Sequence, residues 1–366
     1  SRFGLGCMRL PIKIEDGKEI MDKFKAIEMI RYAADNGVNY FDTAHMYHDG
    51  ESKYLLGEAL EGGYRERVFI ASKIPSYLIN QYADFDNVWN EHLEALRTNC
   101  IDFCLLHALN NNSWNKLKNL GALDYLDEAK AKGKIKYPGF SFHGDLETFK
   151  EILNSYNWAM CQIQLNILDT DIQAGLEGLR YAAQRGIPVV IMEPLKGGKL
   201  SVDIPSEIMD IYNSYKVKRS PQEWAFRWLG SLPEVKLILS GSSTLEQLKD
   251  TISIFSAPDF GKMSSEEYKL VQSVKEAYNS RTKVGCTSCK YCIPCPSDVA
   301  IPSIFKAYNN AYMYNRFNEE KEKYKELLRD SKGADKCIEC GNCESVCPQN
   351  IKIIDTLKVI HKEFTE

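Results

Sequence analysis

Along the first 280 residues, short apolar runs alternate with longer stretches in which apolar positions recur at helical spacing. The runs GLGCM, VNYFD, VFIASK, IDFCLLH, YPGFSF, MCQIQL, PVVIME and VKLILSG read as strands. Helical spacing fills 25–35, 52–60, 87–98, 115–132 and 172–184. Strand–helix alternation predicts a parallel sheet with helical crossovers, and eight repeats predict closure into a (β/α)8 barrel. An open, doubly wound sheet would need G-x-G-x-x-G on its first turn. The segment GLGCMRLP lacks the third glycine and runs into Pro11.

The chain has 366 residues and twelve cysteines, and the cysteines change the picture. Cys7, Cys100, Cys104 and Cys161 are scattered in apolar surroundings, where a thiol serves as a small hydrophobe. The other eight fall between 286 and 347, first as C-x2-C-x2-C-x2-C-P ending at Pro296, then as C-x2-C-x2-C-x3-C-P ending at Pro348. Both runs resemble the bacterial ferredoxin pattern for 4Fe-4S clusters. Two zinc sites are the rival, but zinc ribbons use paired C-x2-C knuckles rather than triplets followed by Cys-Pro. In two-cluster ferredoxins the fourth cysteine of each run ligates the other cluster. The resemblance therefore implies one set of Cys286, Cys289, Cys292 and Cys347, and another of Cys337, Cys340, Cys343 and Cys295. The segment between the runs has helical spacing at Ile304, Tyr308 and Ala311, then at Tyr324, Leu327 and Leu328. The predicted architecture is α/β: a TIM barrel over 1–280, followed by a small all-helical two-cluster ferredoxin-like domain over 281–366.

Charge narrows the partners. There are 46 basic and 50 acidic side chains with no dense Lys/Arg block, which argues against nucleic acid and anionic membrane. With no run of 18 apolar residues and no leader pattern, a soluble cytoplasmic protein is expected.

In a barrel of this kind chemistry belongs at the C-terminal ends of the strands. Asp42 ends the second strand, Lys73 the third and His107 the fourth, and Tyr47 lies five residues beyond Asp42. Each alone has a structural explanation; together they make a carbonyl-reducing site. Hydride arriving at a carbonyl carbon leaves charge on oxygen, and Tyr47 can protonate it. The Lys73 cation is expected to make the phenol a better acid, Asp42 to hold Lys73, and His107 to orient the substrate oxygen.

The segments YFDTAHMY, ASK and LLH, in that order and at those strand ends, resemble the Asp-Tyr-Lys-His tetrad of the aldo/keto reductases. The resemblance extends over about residues 3–255 and implies contacts to a nicotinamide cofactor, NADP(H) or NAD(H). Ser141 in GFSF and Gln162 in CQIQLN would meet the carboxamide. Met192 would pack on the ring, while Pro194, Leu195, Gly197 and Gly198 in EPLKGGKL would cover the pyrophosphate. Gly241, Ser242 and Gln247 in SGSSTLEQL would meet the adenosine end. Two positions depart from the family: Phe142 stands where an asparagine is usual, with His143 offering a replacement polar contact, and Met192 where an aromatic ring is usual. His45 and His48 flank Tyr47, and at least one is expected to face solvent.

The combination resembles the iron–sulfur aldo/keto reductases. It implies an oxidoreductase that interconverts a small carbonyl and its alcohol, with electrons moving through the clusters. Clusters carry single electrons and nicotinamide a hydride, so a flavin at the barrel mouth is an alternative mediator. Another alternative is a docking module for a ferredoxin or flavoprotein beside a weakly active barrel.

Overall fold

The computed structural model describes residues 1–366 as two compact units, Ser1–Gly197 with Gln222–Ser264, and Gly198–Pro221 with Ser265–Glu366. The first is a closed parallel barrel. Its strands are β1 (Phe3–Gly6), β4 (Tyr40–Asp42), β5 (Phe69–Pro75), β6 (Ile101–Leu109), β7 (Ile135–Phe142), β8 (Met160–Gln164), β9 (Val189–Met192) and β10 (Val235–Ser240). Around the barrel they run β1-β10-β9-β8-β7-β6-β5-β4, and β4 closes on β1. All eight apolar runs are strands. Between β1 and the first helix lies an antiparallel hairpin of β2 (Ile12–Glu15) and β3 (Lys18–Met21), additional to the eight predicted strands. Asp16 and Gly17 turn it, with φ of 50° and 75°.

The barrel interior explains where the polar strand-end residues point. One layer is built from Tyr40, Ala71, Leu105, Met160, Val190 and Leu239, with Phe103 and Leu237 packed against it. Gly139 makes room for this layer, because a Cβ there would lie 2.7 Å from the Met160 sulfur. Side chains alternate across a strand, so the residue two positions on faces the same interior, one layer nearer the C-terminal mouth. Two residues beyond that layer stand Asp42, Lys73, His107, Gln162, Met192 and Gly241. Ser141 occupies the same level on β7, two residues beyond Gly139.

The helices surround the barrel at nearly the expected places, with one break. Residues 115–132, expected as one helix, form two, Asn111–Asn119 and Ala122–Ala131, because Gly121 adopts φ 86° between them.

The second unit is helical. Ile301–Tyr314, Phe317–Arg329 and Ile353–Thr365 enclose a core of Ile304, Tyr308, Ala311, Tyr324, Leu357 and Phe364. Helix Ser265–Ser280 packs on helix Ser206–Ser214 and belongs here, burying Tyr278 and Tyr212. An amphipathic helix shows in its sequence which face it buries, but not against which neighbour. No helix is long and apolar enough to cross a membrane.

Candidate functional site

At the barrel mouth Lys73 is buried, and its ammonium donates to Asp42 Oδ1 at 2.5 Å, Thr43 O at 2.8 Å and Tyr47 Oη at 3.1 Å. An ammonium has three N–H groups, so all are engaged. The Tyr47 oxygen accepts from Lys73, and its own O–H donates to no other group of the chain. His107 meets Tyr47 edge-on, ring centroids 6.3 Å apart. Just beyond His107, β6 shifts register against β7; the Ala108 N–H donates to Ser141 Oγ at 2.8 Å, which fixes the strand end.

The electrostatics follow from dryness. Burial alone would lower the Lys73 pKa, but the Asp42 carboxylate and the Tyr47 oxygen together hold it above the ordinary lysine value. Burial pushes the Tyr47 phenol up, and Lys73 offsets this only in part. The expected net lowering by Lys73 is therefore corrected: dehydration of the phenolate outweighs the nearby cation, and Tyr47 is protonated at neutral pH. Burial, assisted by Lys73, lowers His107 to about 3, so its ring is neutral and carries one donor and one acceptor.

Sequence reasoning missed a second polar cluster behind Tyr47. The buried Lys53 donates to Gly50 O at 3.0 Å and pairs with Glu91 at 3.2 Å, tying the turn Tyr47–Gly50 to the helix Ala83–Ala95. In that turn His48 and Asp49 have φ of 50° and 52°, a conformation that needs such anchoring. His92 bonds Ser72 Oγ at 2.6 Å and stacks between Trp89 and His45, both at 5.6 Å. His45 and His48 are both partly buried. No periodicity marks a buried lysine or histidine, so only Asp-Gly before the helix hinted at this turn.

The remaining sequence-derived positions divide by how they are engaged. Gln162 is buried, with Nε2 3.6 Å from the Met192 sulfur and Oε1 without a partner. Asp42 Oδ2 is likewise a buried acceptor without a partner. Phe142 is fully buried and packs on Phe140 and Phe149. His143 bonds Gln173 at 3.2 Å, and Gln173 in turn bonds Gln164 at 2.9 Å. Pro194, Leu195, Gly197 and Gly198 form the turn after β9. After β10, Ser242 is buried, and Gln247 Oε1 accepts from Ser243 N at 2.9 Å while Gln247 N donates to Thr244 Oγ1, capping the helix Leu245–Ser256.

In the helical unit two cavities are lined by cysteines. Cys286, Cys289, Cys292 and Cys347 face one, against Ile301, Phe305 and Ile353. Cys295, Cys337, Cys340 and Cys343 face the other, with Cys292 also on its wall. No three His, Cys, Asp or Glu side chains gather closely enough to hold a single metal ion.

Comparison with known proteins agrees with this architecture. Residues 2–276 match the model of the aldo/keto reductase family, and residues 285–352 match that of the 4Fe-4S dicluster domain. The class is thus a (β/α)8 oxidoreductase joined to an iron–sulfur domain. The chain belongs to the aldo/keto reductase family and is an oxidoreductase of its NAD(P)H-dependent type. It is 26% identical over 308 residues to the uncharacterized oxidoreductase YqkF of Bacillus subtilis, covering 75% of this chain and 92% of the relative. It is also 26% identical over 205 residues to the methylglyoxal reductase YeaE of Escherichia coli, covering 54% and 69%. Among solved structures, the holo form of aldo-keto reductase AKR11C1 from Bacillus halodurans superposes with TM-score 0.63 at 23% identity, covering 75% of this chain and 91% of that one. An aldo/keto reductase from Klebsiella pneumoniae in complex with NADP and acetate gives 0.60 at 22%, with the same coverage.

Proposed function

We propose that the barrel interconverts a small aldehyde or ketone and its alcohol, with Tyr47 as general acid, and that the helical unit passes electrons through two 4Fe-4S clusters. The observation that carries this reading is the orientation of Lys73, whose three engaged N–H groups leave the Tyr47 proton for substrate. In reduction, Tyr47 donates that proton to the carbonyl oxygen; in oxidation it receives one. Lys73 stabilises the phenolate left behind, Asp42 keeps Lys73 charged, and the neutral His107 steadies the substrate oxygen by a hydrogen bond.

The buried acceptors Gln162 Oε1 and Asp42 Oδ2 fit a nicotinamide dinucleotide, which offers carboxamide and ribose donors. Gln162 and Ser141 would hold its carboxamide, Met192 its ring face, Pro194, Leu195, Gly197 and Gly198 its pyrophosphate, and Gly241, Ser242 and Gln247 its adenosine end. When bound, that cofactor supplies the hydride. NADP in the Klebsiella relative supports the phosphorylated form, and the named activity of YeaE makes a short oxoaldehyde the first substrate to try.

For the iron–sulfur sites, Cys347 stands with the first triplet and Cys295 with the second, which supports the crossed ligand sets. The match of residues 285–352 to the 4Fe-4S dicluster domain favours clusters over zinc ions at these cysteines. A ferredoxin or flavoprotein is the chemically matched electron partner. The test is anaerobic purification, with about eight irons expected per chain and NADPH consumed on addition of methylglyoxal. Fewer than about four irons, or no turnover with any short aldehyde, contradicts the proposal.

A further inference from the structure

A closed barrel has no open sheet edge, so the hairpin β2–β3 carries the only unpaired strand edges of the chain. Every residue of β2 is exposed, with Ile12 at 48% and Ile14 at 78%, whereas each barrel strand is largely buried. A two-stranded ribbon with isoleucines in water is marginal by itself and invites a further strand.

The ladder fixes which peptide groups are open. Asp16 and Gly17 both have positive φ, the two-residue turn that suits a hairpin, and its flanking residues Glu15 and Lys18 form a hydrogen-bonded pair. Bonded and non-bonded pairs alternate, so Lys13 with Ile20 is the next bonded pair. The bond from Asp22 N to Pro11 O, at 2.8 Å, continues the same alternation. The N–H and C=O groups of Ile12 and Ile14 therefore point away from β3, to the open edge.

We propose that β2 pairs antiparallel with β2 of a second copy of this chain, about a two-fold axis at Ile14, to make one sheet in the order β3-β2-β2-β3. The sequence of the strand is complementary to itself in that register. On one face Ile14 meets Ile14 of the second copy, with Ile12 of each chain diagonal to it. On the other face Lys13 stands opposite Glu15 of the second copy, twice over, in the non-bonded pairs where side chains approach most closely. Lys13 and Glu15 share that face in the single chain, where they pair at 3.0 Å, and Glu15 lies opposite Lys18 of its own hairpin. Each Glu15 carboxylate would thus sit between two ammonium groups. The outer edge of β3 is closed to the same pairing. Its outward peptide groups belong to Glu19 and Met21; an axis at Glu19 sets two carboxylates face to face, and Met21 is buried.

The test is analytical ultracentrifugation of the full chain over a range of concentrations, with melting temperature as a check on folding. The strand is short, so a weak dimer is expected, with a dissociation constant on the order of 100 µM. Lys13→Glu sets carboxylates opposite each other in both symmetric pairs and should weaken the dimer by about tenfold or more. Adding Glu15→Lys restores opposite charges in the same register and should recover a large part of that loss. Ile14→Pro removes only an outward N–H, so the hairpin's own ladder and the melting temperature should hold while the dimer is lost. A wild-type chain that stays monomeric up to about 500 µM overturns the proposal. So does an Ile14→Pro chain that dimerises like wild type, or a charge-swapped chain no tighter than Lys13→Glu. Growth into open-ended polymers also overturns it, since that would show β2 pairing with β3 of the next chain instead of with itself.

Discussion

Replacing Lys73 by methionine separates the structural part of the tetrad from its chemistry. Lys73 and Asp42 are both nearly inaccessible, and Asp42 Oδ2 has no partner even in the intact site. Lys73→Met leaves a carboxylate with neither oxygen paired and removes the donor to Thr43 O. Breaking one side of a buried pair costs about 3–5 kcal/mol. The carboxyl then avoids the charge by holding its proton above the ordinary carboxylate pKa. A folded pKa raised above the unfolded value stabilises at low pH and is lost as pH rises, so the deficit should shrink in acid. Adding Asp42→Asn removes the unpaired charge and should return stability to within about 1–2 kcal/mol of wild type, while carbonyl reduction stays absent. Urea unfolding followed by tryptophan fluorescence is the assay. The five tryptophans, at 89, 114, 158, 224 and 228, all lie in the barrel unit, so the signal reports that unit alone. A single substitution costing under about 1 kcal/mol, or a double variant no more stable than the single, refutes the buried-pair account.

Three further outcomes follow. Burial holds both His92 and His107 at about 3, below the ordinary histidine value, so the unfolded chain takes up protons first as pH falls; each histidine should make barrel stability fall as the pH drops between roughly 6 and 3. Urea midpoints should show His92→Gln flattening that slope by about half the pair's share, and an unchanged slope contradicts the assignment. Cys347→Ser should cause loss of about four of eight irons, from the cluster of Cys286, Cys289 and Cys292; spectroscopic loss at the Cys337 triplet instead would show that each run closes on itself. A chain ending at Ser264 should aggregate, because Ile208 and Tyr212 lose the helix Ser265–Ser280 that covers them; a monomeric, cooperatively melting product on gel filtration counts against that packing.

The strands were legible because a parallel barrel strand is buried on both faces and reads as a short apolar run, as in IDFCLLH. The tetrad was legible for a related reason: Asp42, Lys73 and His107 interrupt such runs at their ends, where an ionisable group has no packing role. Asp16-Gly17 between alternating residues carries a hairpin signal that the stronger barrel pattern around it obscures. Gly121 similarly marked a break within 115–132. Other features were not written locally. The assignment of Ser206–Ser214 and Ser265–Ser280 to the helical unit depends on contacts between segments some fifty residues apart. Lys53 and His92 acquire their surroundings only when loops from several strands converge. The net upward shift of Tyr47 depends on how much water the closed site excludes, which no spacing of residues encodes.

The central claim is that Tyr47 donates the proton, and Tyr47→Phe tests it with the ring and its packing retained. Single-turnover reduction of an aldehyde by NADPH should slow by about a hundredfold or more, since the lost contact acts in the transition state. Coenzyme affinity measured by fluorescence titration should stay within about twofold of wild type, because the hydroxyl meets the substrate oxygen rather than the cofactor. A Tyr47→Phe enzyme that reduces aldehyde at the wild-type rate would contradict the account.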